Sequence, residues 1–195
     1  MSGINLNKSE DYVKELKIFN DGKAGIVENV RVRIERKAST DSDDKKPVYK
    51  LIATDGIGEV NEGFYYQEPN SDGFNKYQAQ RLILLAKGVL GEDIKFPEFN
   101  TPKEALDWVM LNVAPVLDKS FYRVAVCYGT TKRKSQYLGF KSFGNFIEPV
   151  SKTCSLALSA SDSLVKGEAK PVDAQTLVKS MNIPSGTNLS WMDKT

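Results

Sequence analysis

The period of the apolar residues changes along the chain, and this change limits the folds that the sequence can form. Residues 26–34 alternate between apolar and charged side chains, which predicts a half-buried strand whose inward face carries Ile26, Val30, Val32 and Ile34. Residues 48–54 and 63–67 are predicted as further strands. From residue 79 to residue 90 the apolar residues follow helical spacing instead. The chain therefore passes from a sheet-forming half into a helical segment.

A second helix is predicted to begin after Thr101, because the residues Thr-Pro-Lys-Glu form a capping box with proline at the first helical position. The same pattern predicts that this helix ends at Pro115. Residues 121–128 then return to strand, and residues 129–135 form a basic loop that opens with glycine. Residues 136–140 run back as the hairpin partner.

Three strands, a helical segment and a terminal hairpin, in this order, are typical of the OB-fold, a five-stranded barrel with a helix between its third and fourth strands. The sequence therefore predicts a mainly β protein with helices (α+β), an OB-fold-like barrel with a helical insertion between strands 3 and 4. Residues 16–19 would add a short strand that ends in a turn at Asn20, Asp21 and Gly22. Another α+β roll with the same order of elements is the alternative.

The residue types of the chain exclude several kinds of chemistry. The 195 residues include no histidine, so neither a Ser-His-Asp nor a Cys-His arrangement can form. The two cysteines, Cys127 and Cys154, are isolated and supply neither a disulfide framework nor zinc-ligand spacing. No phosphate-binding glycine motif is complete. We therefore expect no enzymatic activity, no metal site and no cofactor.

Residues 119–147 contain no acidic side chain, although six lysines and arginines alternate there with seven aromatic rings. Cations neutralise phosphates and rings stack on bases, so this combination is typical of proteins that hold an unpaired nucleic-acid strand. In an OB-fold, the loops that correspond to residues 37–46 and 129–135 bind oligonucleotides, together with the face of strands 2 and 3. The predicted nucleic-acid-binding residues are Arg31, Arg33, Tyr65, Lys132, Arg133, Lys134, Tyr137, Phe140 and Lys141.

An ordinary hairpin is the alternative explanation for this segment, with its aromatic side chains in a core and its lysines in water. The three consecutive cations at residues 132–134 favour the binding hypothesis. They have no acidic neighbour within residues 119–147, so we expect them to meet either solvent or an anionic partner.

Composition also divides the chain near residue 150. Residues 1–150 are predicted to form an OB-fold-like nucleic-acid-binding domain. Residues 151–195 are predicted to be a weakly ordered extension, because their Ser, Lys and Ala content offers little apolar surface. A short helix is expected at residues 171–181, and we expect the extension to be dispensable for folding.

Three segments of the chain resemble bacteriophage single-stranded DNA-binding proteins of the divergent OB-fold kinds. They are ENVRVRIERK at residues 28–37, GFYYQEP at residues 63–69 and YLGFKSFGNFIEPV at residues 137–150. The resemblance implies sequence-independent coating of single-stranded DNA during phage replication, recombination or repair, and contact with replication proteins through the C-terminal extension. Many such proteins end in an acidic tail, whereas the last five residues here, from Trp191 onward, contain one acid.

Two other functions remain open from the residues alone. A virion or assembly protein could use the aromatic hairpin as a subunit interface, because aromatic residues and arginine are enriched at interfaces. A metal-dependent nuclease is a third hypothesis, although no motif supports it. The expected partner is single-stranded DNA, with RNA as the alternative, and the residues leave homo-oligomerisation open. Because no apolar run is long enough for a signal or a membrane span, we expect a soluble protein in the cytoplasm, that of the host for a viral chain.

Overall fold

The computed structural model describes residues 18–37, 48–66, 72–129 and 134–168, without the side chains of residues 72–75 and 135. This part of the chain is a mixed α+β structure of six strands and two helices, so the predicted α+β class is confirmed. The elements are β1 (Gly25–Arg36), β2 (Tyr49–Thr54), β3 (Glu59–Phe64), α1 (Asp72–Leu90), α2 (Pro102–Leu117), β4 (Tyr122–Tyr128), β5 (Leu138–Phe140) and β6 (Ile147–Pro149).

The strands form one antiparallel sheet in the order β3-β2-β1-β4-β5, and β6 pairs with β4 beside β5. Both helices lie between β3 and β4 in the chain, as the sequence predicts. Within the described residues, β3 and β5 are the ends of the hydrogen-bonded order and do not pair with each other. The sheet is therefore not a barrel closed by backbone hydrogen bonds.

A bulge in β1 changes which of its side chains face the core. The first half of β1 pairs with β4 and the second half with β2, and the register shifts between Val27 and Val30. Asn29 has a φ of 59° there, a conformation that asparagine tolerates better than most residues. Val27 is consequently buried and Ile26 is exposed, so the predicted inward orientation of Ile26 is wrong.

The third strand begins and ends earlier than predicted. The carboxylate of Asp55 accepts hydrogen bonds from the backbone N–H groups of Ile57 and Gly58, both at 2.8 Å, and this tight turn lets β3 begin at Glu59. Tyr65 leaves the sheet because its backbone pairs with a side chain of α1, described below. The predicted strand at residues 16–19 is also wrong where it can be examined, since Phe19 begins a 3-10 turn.

The helices pack against the sheet and form most of the core with it. The side chain of Thr101 accepts the N–H of Glu104 at 3.2 Å, which confirms the predicted helix start. Pro115 does not end α2, which continues to Leu117. Pro115 is exposed, so the carbonyl group that its missing N–H leaves unpaired lies on the solvent side. Leu82 and Leu85 of α1 are buried, as expected for a helix that fills the core.

Residues 151–168 lie against β4 and β5. The N–H of Tyr128 donates to the carbonyl of Ser163 at 2.9 Å, and Leu156, Asp162 and Ser163 are buried. The described part of the predicted extension therefore contacts the domain through a few buried residues. The predicted helix at residues 171–181, like Trp191, lies outside the described residues.

Candidate nucleic-acid interface

A groove of about 370 Å³ runs between β3 and β5, the two strands at the ends of the hydrogen-bonded order. We call it the β3–β5 groove. Residues 61–65 form one wall, and residues 127–129, Lys134 and residues 137–140 form the other. Tyr77 and Gln78 of α1 also line it. The groove exists because three-residue β5 pairs with β4 and leaves its other edge open toward β3.

Gly139 keeps the β5 wall of the groove open. A Cβ atom built at this position would have no heavy atom within 4 Å, so the space beside the backbone is empty. Gly139 pairs with Cys127 of β4 in the sheet. A flat surface without a side chain in the middle of a strand is what a close-approaching ligand requires.

Four of the sequence-predicted residues line this groove: Tyr65, Lys134 and Tyr137, whose side chains reach solvent, and the buried Phe140. Tyr137 is 69% exposed, and its N–H donates to the carbonyl of Lys134 at 2.9 Å within a short 3-10 turn. Tyr65 is half-buried on the opposite wall. The folded chain therefore places two aromatic rings and a cation, from distant parts of the sequence, around one opening.

The position of Tyr65 depends on the buried carboxamide of Gln78. The N–H of Tyr65 donates to Oε1 of Gln78 at 2.9 Å, and Nε2 of Gln78 donates to the carbonyl of Tyr65 at 2.8 Å. Gln78 is 3% exposed. Gln78 is not among the residues predicted from the sequence, because its role depends on how α1 packs against the sheet.

Phe140 and Lys141 are buried, so little of either side chain is available for direct contact with a strand. The ring of Phe140 packs against that of Phe146, with 5.5 Å between the centroids. Lys141 Nζ lies 3.4 Å from a carboxylate oxygen of Asp162 and donates to the carbonyl of Ala157. Phe140 packs in a core, as the ordinary-hairpin alternative supposed, whereas Lys141 forms a buried ion pair instead of lying in water.

Arg31 and Arg33 lie on β1 and are not among the described residues that line the groove. The guanidinium of Arg33 pairs with Glu59 and Glu35, both at 3.0 Å, and the hydrogen bond that it donates to Glu59 is the main cause of its raised pKa. The guanidinium of Arg31 stacks 3.8 Å from the ring centroid of Phe121. The structure does not bring these two arginines together with the groove residues.

Two further predicted residues, Lys132 and Arg133, lie outside the described residues. The described ends of their loop meet, since the N–H of Gly129 donates to the carbonyl of Lys134 at 3.2 Å. Gly129 is required for this approach, because a Cβ atom there would lie 2.3 Å from the Cβ of Lys134. Both ends of the loop line the β3–β5 groove.

A second groove, of about 520 Å³, lies between α2 and the ends of β1 and β2. Tyr49 and Tyr66 donate hydrogen bonds to Asp107 there, at 3.2 and 2.6 Å. Lys103 lies 4.9 Å from the ring centroid of Tyr66, and Arg36 lies 5.9 Å from that of Tyr49. Because cations cover these rings, the second groove is a poorer stacking surface than the first.

The described residues contain no group of three or more His, Cys, Asp and Glu side chains that could hold a metal ion. Cys127 lines the β3–β5 groove, where burial raises the pKa of its thiol to about 12 and keeps it neutral. No helix in the described part of the chain has the length and apolar character needed to cross a membrane.

Comparison with protein-family models, with curated proteins and with solved structures finds no match to this chain.

Proposed function

We propose that this protein binds single-stranded DNA in the β3–β5 groove, independently of sequence and without catalysis. The observation that carries the proposal is the meeting of Tyr65, Lys134 and Tyr137 around an opening whose β5 wall has no side chain at Gly139. An unpaired strand needs stacking rings, a phosphate partner and room for the bases, and the groove offers all three.

The energetics of such a complex divide between stacking and charge. Stacking on Tyr65 and Tyr137 would contribute about 1–3 kcal/mol per base, whichever base is present. Lys134 would neutralise a phosphate at the groove, and Lys132 and Arg133 precede it directly in the chain. Each phosphate that is neutralised releases counterions, so affinity should fall with salt.

We further propose that the fold is an OB-fold-like barrel whose seam is the β3–β5 groove. The strand order, the bent β1 shared between β2 and β4, and the helices between β3 and β4 support this assignment. In such a fold, the loop between the fourth and fifth strands borders the ligand. The resemblance to phage single-stranded DNA-binding proteins supports a role for this binding in replication, recombination or repair of DNA.

The alternative function, a virion or assembly protein, has less support from the hairpin. Phe140 and Phe146 are buried against each other, so they offer no surface to another subunit. Of the aromatic side chains described at this hairpin, Tyr137 and Phe121 have the largest exposed fractions, 69% and 45%. Two separate rings provide little of the apolar area that a permanent subunit interface needs.

Fluorescence anisotropy of labelled dT oligonucleotides, compared with duplex of equal length at two salt concentrations, tests the proposal. We expect binding of the single strand in preference to the duplex, and weaker binding at the higher salt. An assembly interface would instead produce concentration-dependent oligomers that persist in salt, because apolar contacts are not screened.

Gly139→Val provides a direct steric test of the groove. The valine side chain would occupy the empty space beside β5, so affinity should fall while the fold is kept. Gly25→Val is the matched control, because a Cβ atom at Gly25 also meets nothing within 4 Å but Gly25 is not among the residues lining the groove. Equal affinity of the two variants would place the binding site elsewhere.

A further inference from the structure

Arg81 of α1 is a buried cation directly beneath the β3–β5 groove. Its guanidinium holds Glu62 of β3 with two hydrogen bonds, from Nε at 2.9 Å and from Nη2 at 2.6 Å. Nη1 donates to the carbonyl of Lys141, just after β5, at 2.9 Å. The ring centroid of Phe146 lies 3.6 Å from the guanidinium carbon. Arg81 is 1% exposed, so these contacts hold it in one position.

Glu62 differs from its partner because it reaches the groove. Its side chain is 19% exposed and lines the opening, whereas Arg81 is not among the described lining residues. Among those lining residues, Glu62 is the one carboxylate and Lys134 is the one cation. An uncompensated carboxylate at this position would repel the phosphates of a bound strand, since like charges brought together disfavour association.

We propose that Arg81 is a positioning residue for strand binding, which cancels the charge of Glu62 at the wall of the groove so that a polyanion can enter. The inference rests on the proposed single-stranded DNA binding. It gives α1 a role beyond filling the core, and it explains why a charged side chain lies on the buried side of this helix. A purely structural pair would need no carboxylate at the ligand surface, because apolar residues of similar volume often serve as well.

Opposite effects of the two single variants test the charge role. Glu62→Gln leaves the cation in place and should tighten binding of labelled dT oligonucleotide by about tenfold at low salt. Arg81→Met leaves the carboxylate unpaired and should weaken binding by a similar factor. A pair that only maintained the fold would lose affinity in both variants.

Two further variants keep the test decisive. Glu59→Gln removes the same charge from the same strand, but Glu59 pairs with Arg33 and does not line the groove, so its effect should be smaller than that of Glu62→Gln. The double variant Glu62→Met with Arg81→Met replaces the ion pair by apolar side chains, a change that proteins often tolerate. It should bind as the wild type does, because the net charge at the groove is unchanged.

Unchanged or weaker binding by folded Glu62→Gln would overturn the inference, and so would a folded double variant that binds as poorly as Arg81→Met. If Glu62→Gln or Arg81→Met does not fold, the double variant decides alone. These failures leave the proposed function standing as long as the wild type binds the oligonucleotide. Absence of binding by the wild type would remove both proposals together.

Discussion

Arg123 and Lys141 lie at the foot of the β4–β5 hairpin, whereas Lys134 lies near its tip, and all three come from the acid-free residues 119–147. At the foot, Arg123 contacts Glu148 at 2.6 Å and Glu28 at 2.7 Å, and Lys141 contacts Asp162 at 3.4 Å. Near the tip, Lys134 is exposed beside the groove. The cations of this acid-free segment therefore form structural ion pairs at the foot of the hairpin, whereas near its tip Lys134 belongs to the proposed binding surface.

The comparison teaches that acids distant in sequence can pair with cations in an acid-free segment. Glu28, Glu148 and Asp162 all lie outside residues 119–147, and the sheet brings them to the foot of the hairpin. Arg123 and Lys141 show this pairing, whereas the expectation of solvent or an anionic partner concerns the three cations at residues 132–134. It still stands as a prediction for the loop at the tip.

Truncation after Val150 should have the largest effect on stability, because it removes the residues that pair with side chains and backbone groups at the foot of the hairpin. Lys141 would lose Asp162, Glu148 would lose Ser155, and Tyr128 would lose the backbone partner Ser163. We expect a loss on the order of 5 kcal/mol, comparable with the stability of a whole domain, measured by denaturant unfolding. Truncation after Glu168 is the control, since it keeps these contacts. A stable protein ending at residue 150 would restore the original expectation of a dispensable extension.

Lys141→Met should have the next largest effect. The substitution keeps most of the apolar side chain but leaves Asp162, which is 6% exposed, without its ammonium partner. Breaking a buried ion pair in this way costs about 3 kcal/mol, and urea unfolding would measure it. A variant as stable as the wild type would show that the foot does not depend on this pair.

Low pH should also reduce the stability of the foot of the hairpin, because it protonates the carboxylate of Glu148. Burial alone would raise the pKa of this carboxyl, but hydrogen bonds from Ser155 and Arg123 hold it below the ordinary value. Because the folded pKa is the lower one, the stabilisation is present above about pH 4.5 and is lost as pH falls through the folded pKa. Unfolding at pH 3 to 7 should therefore show a smaller pH dependence for Glu148→Gln. Identical pH profiles would exclude this contribution.

Changes at the tip should have the smallest effect on stability and a clear effect on binding. Replacing Lys132, Arg133 and Lys134 together by Ala should change the free energy of unfolding by less than about 0.5 kcal/mol, as exposed loop charges usually do. The slope of log affinity against log salt should become flatter by about 0.7 for each lost phosphate contact.

Tyr137→Ala is the matched comparison for the triple variant, because it removes a ring and no charge. It should lower affinity with little change in the salt slope, since stacking releases no counterions. If the triple variant kept both the affinity and the slope of the wild type, the loop would be an ordinary solvated turn.

The sequence predicted the order of elements well because that order depends on local periodicity and caps. The helix start at Thr101 and the strand at β4 were both visible in this way. The exposure of Ile26 could not be predicted in this way, because the bulge at Asn29 arises where β1 changes from pairing with β4 to pairing with β2.

The candidate site was predictable only in part. Aromatic and basic residues indicated Tyr65, Lys134 and Tyr137, which the structure brings to one groove. Gln78 and Arg81 were not predicted, because their roles depend on how α1 packs beneath the sheet, and no spacing along the chain reveals this packing.

The carboxamide of Gln78 imitates a peptide group, offering Tyr65 the donor and the acceptor that a neighbouring strand would supply. Glutamate could only accept and methionine could do neither, so the position tolerates few substitutions. Sliding of α1 along its axis would break one or both bonds and turn the phenol ring. The packing of α1 thereby sets the position of the Tyr65 ring relative to the Tyr137 ring on the opposite wall of the groove.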